Sequence, residues 1–358
     1  MMRVFCMRSA MVLTVVVLLA VALMATVPAL QGCGGGGGTP ADGGNGGNGG
    51  NGGNGGNGAG TYAVTDLGVL GTGNRSEARG INSQGHVVGW SYTNGDSTSH
   101  AFYYDGTTMQ DLDTLGGTES RANAINDDNQ VVGWSEVAGD TATHAFYYDG
   151  TTMHDLGALG GGDSYAQDIN NAGEVVGYSS NDAFICNGTM GPLPLDGALS
   201  GQAHGINNAG QIVGNMDGRA CMWDNGTISD LGGLGGTGSF AVAISNNGVL
   251  VTGYADTSGD ALTRAFLHDG TSMQDLGGIN DSHSYGYAVN DSGHVVGSSH
   301  TWGFLYDGTT LHNLNDLLAS GSSGWTVAGQ WAINNAGQTA GWGVNAASQP
   351  HAILLTPQ

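Results

Sequence analysis

Apolar and polar positions alternate in short bursts along most of the chain, and the bursts return in a fixed order at a period near 44 residues. Each cassette holds an Ile-Asn pair, a Val-Val-Gly run, a run of the type His-Ala-Phe-Tyr-Tyr and an Asp-Leu-Gly run. The anchors fall at Ile81, Ile125, Ile169, Ile206, Ile244, Val289 and Ile333, with steps of 44, 44, 37, 38, 45 and 44 residues. Short apolar runs bounded by Asn, Asp and Gly predict β-strands, here named a to d in cassette order. Four such strands cannot bury their own face, so neighbouring cassettes must stack.

Strand a ends on the anchor. The first and third positions before it are small in twelve of fourteen cases: Gly80, Ala78, Ala124, Ala122, Ala166, Gly205, Ala203, Ala243, Ala241, Ala288, Gly286 and Ala332. Residues two apart share a face of a strand. One face of strand a is therefore expected to be nearly flat, as wedge-shaped sheets crowding toward an axis require. Asn-Asn-Ala-Gly at 170–173, 207–210 and 334–337 predicts tight turns from a to b. Strand b carries an aromatic residue at its fourth place in five cassettes: Trp90, Trp134, Tyr178, Tyr254 and Trp342. Asp105-Gly106, Asp149-Gly150 and their relatives predict c–d hairpins.

The two ends are out of phase. The repeats begin with a lone d-type run, Tyr62 to Gly68, and stop on a c-type run, His351 to Leu355, with no d after it. Each end supplies what the other lacks. The expected fold is all-β, a seven-bladed β-propeller of four-stranded antiparallel blades in which the N-terminal strand completes the C-terminal blade. An open β-solenoid would not need complementary ends, and its coils are usually shorter. A monomer is expected.

Before the repeats, Arg3 and Arg8 precede an apolar run from Met11 through Ala25, the layout of an export signal. Leu30-Gln31-Gly32-Cys33 resembles the lipobox of bacterial lipoproteins, although Gln31 is a less usual filler. Cleavage before Cys33 would free it for acylation and tie the protein to a membrane. An uncleaved anchor is the alternative, since about 20 apolar residues can span a bilayer. Residues 34–60 are rich in Gly and Asn with nothing to pack, a tether with an r.m.s. span of roughly 30 Å. The domains are thus a signal peptide at 1–32, a lipidated cysteine and tether at 33–60, and the seven-repeat propeller at 61–358. The expected location is periplasmic or at the cell surface.

The chain has 7 Lys+Arg against 30 Asp+Glu and a net charge of −23, with no lysine. Such a surface repels nucleic acid and anionic lipid, which excludes both as partners. It would suit divalent or basic ligands, or simply a salty habitat.

His-Ala-Phe stands intact at 100–102 and 144–146, and departs to Asp182-Ala183-Phe184, Arg219-Ala220-Cys221, Arg264-Ala265-Phe266, Trp302-Gly303-Phe304 and His351-Ala352-Ile353. With export and the 44-residue period, this resembles the HAF-family extracellular repeat over nearly all of residues 62–358. The resemblance implies an exported bacterial repeat protein and no established reaction.

Candidate chemistry is sparse. His100, His144 and His351 lie on blades that become consecutive in a closed ring, but equivalent positions on stacked sheets sit about 10 Å apart, too far for one metal. Cys186 and Cys221 point to the same side of adjacent blades and are expected as buried free thiols. Asp96, Asp140 and Asp260 in the longer b–c loops offer oxygen ligands to calcium, but no EF-hand or nonapeptide calcium pattern is present, so solvated turns and no cofactor are expected. No nucleophile elbow, His-Glu-x-x-His pair or P-loop occurs. The b–c and d–a connections share the more variable face of the ring. Strand a starts there, and its positions four and two before the anchor are the expected contact residues: Glu77, Arg79, Arg121, Tyr165, His204, Phe240, Tyr285, Tyr287 and Trp331. The expectation is a binding module for a glycan, peptide or envelope partner. A polysaccharide lyase or hydrolase using Glu77 with His204 or Asp168, or a purely structural envelope protein, are the alternatives.

Overall fold

The computed structural model describes residues 60–95 and 97–358. The proposed signal peptide, Cys33, the tether and Asp96 lie outside the described residues.

Seven four-stranded antiparallel sheets form the blades. The chain enters through β1 (Tyr62–Gly68). Blade 1 is β2 (Ser76–Ile81), β3 (Val87–Tyr92), β4 (Ser99–Tyr104) and β5 (Met109–Asp111); blade 2 is β6 (Gly116–Ile125), β7 (Val131–Val137), β8 (Thr143–Tyr148) and β9 (Met153–Asp155). Blade 3 is β10 (Ser164–Ile169), β11 (Val175–Ser179), β12 (Asp182–Cys186) and β13 (Met190–Pro192); blade 4 is β14 (Gly201–Ile206), β15 (Ile212–Met216), β16 (Arg219–Asp224) and β17 (Thr227–Gly232). Blade 5 is β18 (Gly235–Ile244), β19 (Val251–Thr257), β20 (Thr263–His268) and β21 (Met273–Asp275); blade 6 is β22 (Ser284–Val289), β23 (Val295–Ser299), β24 (Trp302–Tyr306) and β25 (Leu311–Asn313). Blade 7 is β26 (Thr326–Ile333), β27 (Thr339–Val344) and β28 (Pro350–Pro357), completed by β1 in the order β1-β28-β27-β26.

The register of that closing pair runs from Tyr62 opposite Pro357 to Gly68 opposite Ala352. The strand pairing expected from the phase of the chain ends is therefore present. Strand a of every blade touches strand a of both neighbours, so these seven strands form the inner wall.

The anchor Asn is a ring fastener. Its Oδ1 accepts from the backbone N–H groups two and four residues on, which shapes the a–b turn; at Asn334 these are Ala336 and Gln338. Its Nδ2 donates to the backbone carbonyl of the next blade's anchor: Asn82 to Asn126, Asn126 to Asn170, Asn170 to Asn207, Asn207 to Ser245, and Asn290 to Asn334. Asn334 donates to Asn82 across the seam at 3.1 Å, closing the belt. Ser245 holds the place of an anchor Asn in blade 5 and has no amide to pass on. There Asn247 donates instead, from its N–H to Asp291 Oδ1 and from its side chain to Asp291 O.

The His-Ala-Phe segment divides three tasks. His100, His144 and His351 each bring Nδ1 within 2.9 Å of the carboxylate on the facing d strand, at Asp111, Asp155 and Asp66. The alanine N–H donates to a serine at the start of the next blade, as Ala101 does to Ser120 and Ala352 to Ser76. Phe102, Phe146, Phe184, Phe266 and Phe304 are fully buried between blades, each contributing on the order of 2–3 kcal/mol of burial. Gly89 of the Val-Val-Gly run has no room for a side chain, because a Cβ there would lie 2.0 Å from Glu77 O.

Two expectations need correction. The small positions of strand a do not share one face. A β-bulge interrupts each strand a between them: Ala78 pairs with Gly89 and Gly80 with Val88, which leaves Arg79 as the extra residue. The bulge turns Ala78 into the cluster shared with Ala332, Ala340 and Ala352 of blade 7, while a Cβ on Gly80 would meet Ala124 and Asn123 of blade 2. Crowding is thus relieved on both neighbours. Second, the b–c connection is long in only some blades. In blades 3, 4 and 6 it is a two-residue turn, Ser180-Asn181, Asp217-Gly218 and His300-Thr301, with positive φ at Ser180, Asp217 and His300.

Candidate functional site at the loop-rich mouth

The bulge decides what the mouth presents. Position four before the anchor pairs with the fourth residue of strand b: Glu77 with Trp90, Arg121 with Trp134, Tyr165 with Tyr178, Phe240 with Tyr254 and Tyr285 with Ser298. Position two before the anchor is the bulged residue itself, Arg79, His204, Tyr287 or Trp331, which makes no ladder pair. Sequence reasoning found both tiers of strand a and missed the strand b tier. The signal was the aromatic fourth place, which the cross-strand register carries into the site.

These side chains meet across blade boundaries. Starting in blade 5, Phe240 stacks on Tyr254 at 5.1 Å and Tyr254 meets Tyr285 of blade 6 edge-on at 5.2 Å. Tyr287 stacks on Trp331 of blade 7 at 4.1 Å, and the Arg79 guanidinium of blade 1 lies 4.0 Å from the Trp331 ring. Arg75 sits over both Trp342 and Trp90, at 5.8 and 5.2 Å. Arg121 of blade 2 reaches back over Trp90 at 4.4 Å and over its own Trp134 at 5.3 Å. Trp134 then meets Tyr165, Tyr165 meets Tyr178, and Tyr178 meets His204 of blade 4. The arc spans all seven blades and opens between His204 and Phe240. Eight of the nine expected contact residues belong to it and are partly exposed; the ninth, Glu77, is buried beside Arg79. The rings therefore pack between blades and still offer surface at the mouth.

The polar members are committed to different degrees. Glu77 Oε1 lies 2.8 Å from Arg79 Nη2, without the alignment of a directed hydrogen bond, so the pair is a charge contact. His204 Nε2 is 3.0 Å from Asn215 Oδ1, and burial lowers its pKa despite that bond. Asp168 accepts from the N–H of Ile169 and, across the blade boundary, of Ile206, both at 2.9 Å; burial still raises its pKa to about 7. Burial likewise pushes the hydroxyls of Tyr178 and Tyr287 up to about 12. The sequence-expected acid–base partners are thus each engaged by a neighbour in the protein.

The remaining candidates sit elsewhere. Asp140 accepts from Thr118 N–H, and Asp260 from Thr237 N–H and hydroxyl, so both fasten the start of strand a in their own blades. Among the described residues no group of three or more His, Cys, Asp or Glu side chains is placed to hold a metal ion. Cys186 and Cys221 are buried free thiols in separate clusters, as expected. On the opposite face, blades 3 and 4 flank an open groove of about 370 Å³ lined by Glu174, Ile185, Pro194, Asn208 and Trp223. There the Trp223 indole N–H is already satisfied by Pro194 O.

The fold these elements define is that of the β-propellers. The chain is similar in structure to the β-propeller domain of the Trilobed protease from Pyrococcus furiosus, described as having an open velcro topology, with a TM-score of 0.50 at 8% identity over 82% of this chain and 95% of that one. Weaker likeness extends to a putative TolB from Agrobacterium tumefaciens, at TM-score 0.42 and 12% identity over 84% and 99% of the two chains. A gluconolactonase from Xanthomonas campestris matches at TM-score 0.41 and 12% identity over 84% and 91%. No protein-family model and no curated protein sequence matches the chain. Among the described residues no helix is long and apolar enough to cross a membrane.

Proposed function

We propose that the protein is a lipid-anchored binding module of the bacterial envelope, exported through residues 1–32, tied to a membrane at Cys33 and presenting the propeller mouth to a glycan, peptide or envelope partner. The His-Ala-Phe resemblance and the signal-like N-terminus support the location. The observation that carries the binding role is the arc of aromatic and cationic side chains running through every blade at one face. Flat rings beside hydrogen-bonding groups suit ligands with both apolar faces and polar edges. A catalytic reading has less support, because Glu77, Asp168 and His204 are each held by a protein partner.

The full-length protein screened on glycan and envelope-extract arrays tests this. Saturable binding that is lost in Trp331→Ala and kept in Trp223→Ala is the expected result. Silence on both arrays overturns the binding role, and turnover of a bound glycan replaces it with catalysis.

A further inference from the structure

Positive charge is scarce in this chain and it is gathered in one place. Residues 60–358 contain five arginines and no lysine. Three of the five, Arg75, Arg79 and Arg121, stand in the mouth around Trp90, Trp331 and Trp342 of blades 7 and 1. Random placement on a surface of net charge −23 would disperse them among the acids.

Their charge is only partly matched. Three guanidiniums face two carboxylates, and just one contact is close, Arg79 to Glu77 at 2.8 Å. Arg75 stands 3.6 Å from Glu77 and Arg121 3.8 Å from Glu119, both beyond hydrogen-bonding distance. Burial and the neighbouring Arg79 charge together lower the pKa of Arg121. The cluster is also short of acceptors. Arg75 Nε, Arg121 Nε, Trp90 Nε1 and Trp331 Nε1 are all sealed from water without a hydrogen-bond partner, an arrangement that is costly for buried donors. Yet the arginine side chains stay reachable, keeping 18, 24 and 31% of their surface at Arg75, Arg79 and Arg121.

We propose that this cluster seats the carboxylate of an acidic saccharide, with the sugar rings lying along the aromatic arc on either side. The inference rests on the binding role above and names its ligand class. A planar guanidinium matches a carboxylate in a two-pronged pair, and stacked Trp and Tyr faces match the apolar faces of pyranose rings. A sugar fits better than a peptide. Val242 is the single branched aliphatic side chain among the strand a and strand b positions that form the mouth, so apolar side-chain pockets are missing. The inner strands of neighbouring sheets stand against one another around the ring, which crowds strand addition at the mouth.

Tryptophan fluorescence of the full-length protein titrated with trigalacturonate, with a neutral galactotriose and with a short poly-glutamate tests the assignment. Trigalacturonate is expected to bind saturably, more weakly as salt rises, and at least tenfold more tightly than the other two probes. Arg75→Gln and Arg121→Gln should each weaken it at least tenfold, Arg121→Lys less, and Arg219→Gln on the outer blade not at all. Thermal melts of each variant separate lost folding from lost contact. Equal or tighter binding of the neutral sugar overturns the acidic assignment while leaving a glycan-binding mouth intact. Equal or tighter binding of poly-glutamate, no response to trigalacturonate, or wild-type affinity in both glutamine variants also overturns it.

Discussion

His351 and Asp66 are 285 residues apart in sequence and 2.9 Å apart in the fold. The same pairing that spans adjacent strands in blades 1 and 2 here spans the seam of the ring, because β1 takes the place of the missing d strand of blade 7. Asp66 also accepts from Gly68 N–H, so one carboxylate fixes both the partner strand and the turn after it.

Asp66→Ala should therefore loosen the seam, by about 1 kcal/mol given that the pair is partly solvated. His351→Ala should cost a similar amount, and the double variant little more than either alone. Removing β1 altogether should cost several-fold more, since Leu355 and Ile353 lose their cover. Urea denaturation followed by tryptophan fluorescence measures all four; additive effects of the two point variants would show that the pair is not coupled.

The asparagine belt lacks one link, where Ser245 stands between Asn207 and Asn290. Ser245→Asn supplies an amide facing Asn290 O and is expected to stabilise the fold by about 0.5–1.5 kcal/mol, the net worth of one buried hydrogen bond. Asn334→Ala, which removes a seam link and both turn bonds, should destabilise by at least as much. A lower melting temperature for Ser245→Asn would mean that the Asn247–Asp291 bridge already does the same job.

Glu77 is 2% exposed and relies on Arg79 for its counter-charge. Arg79→Ala strands that carboxylate with Arg75 at 3.6 Å and should cost about 2–3 kcal/mol, less than a fully buried pair because Arg79 is partly exposed. Adding Glu77→Gln should recover most of the loss. Chemical denaturation of the two single variants and the double gives the coupling directly.

Asp168 and His204 give pH responses of opposite sign. The folded-state pKa of Asp168 is about 7, above the unfolded value near 3.8, so the native state holds the proton longer. Its contribution to stability is full below about pH 4 and falls as pH rises through 7. The pKa of His204 is lowered from 6.5, so its contribution is present above 6.5 and is lost as pH falls through the lower folded value. Melting temperature against pH should lose its neutral-side slope in Asp168→Asn and its acid-side slope in His204→Gln. Unchanged slopes in both variants would place the pH response elsewhere.

Burial raises the thiol pKa of Cys186, and that of Cys221 to about 12. Native protein should leave both unlabelled by iodoacetamide at pH 8, and urea should expose them together. Labelling of either before the tryptophan transition would reveal local opening of blade 3 or blade 4.

Much of the ring could be read from the chain because its repeats place the same residue type under the same constraint seven times. Blade number, strand order and seam pairing all follow from the Ile-Asn anchors and from the complementary runs at Tyr62 and His351. The bulge was hidden, since an extra residue in one strand shows only against its partner: Ala78 and Gly80 look like one flat face until Gly89 and Val88 fix the register. The same blind spot concealed the indoles of Trp90 and Trp342. Their distance from Glu77 and Arg75 along the chain says nothing of the shared mouth, whereas strand pairing and ring closure set them there. The short b–c turns were foreshadowed by the steps of 37 and 38 residues for two blades, but blade 6 keeps a full-length repeat by spending its residues in the d–a connection, 314–325, instead.

The seam also orders events in time. Tyr62–Gly68 is the first propeller strand to be synthesised and Pro350–Pro357 the last, so the earliest strand waits for nearly the whole polypeptide before its hydrogen bonds can form. Assembly can proceed blade by blade through contacts between sequence neighbours, yet the final step joins segments almost a chain length apart, the kind of encounter that is slow to occur. The circle cannot close until Pro350–Pro357 has been made.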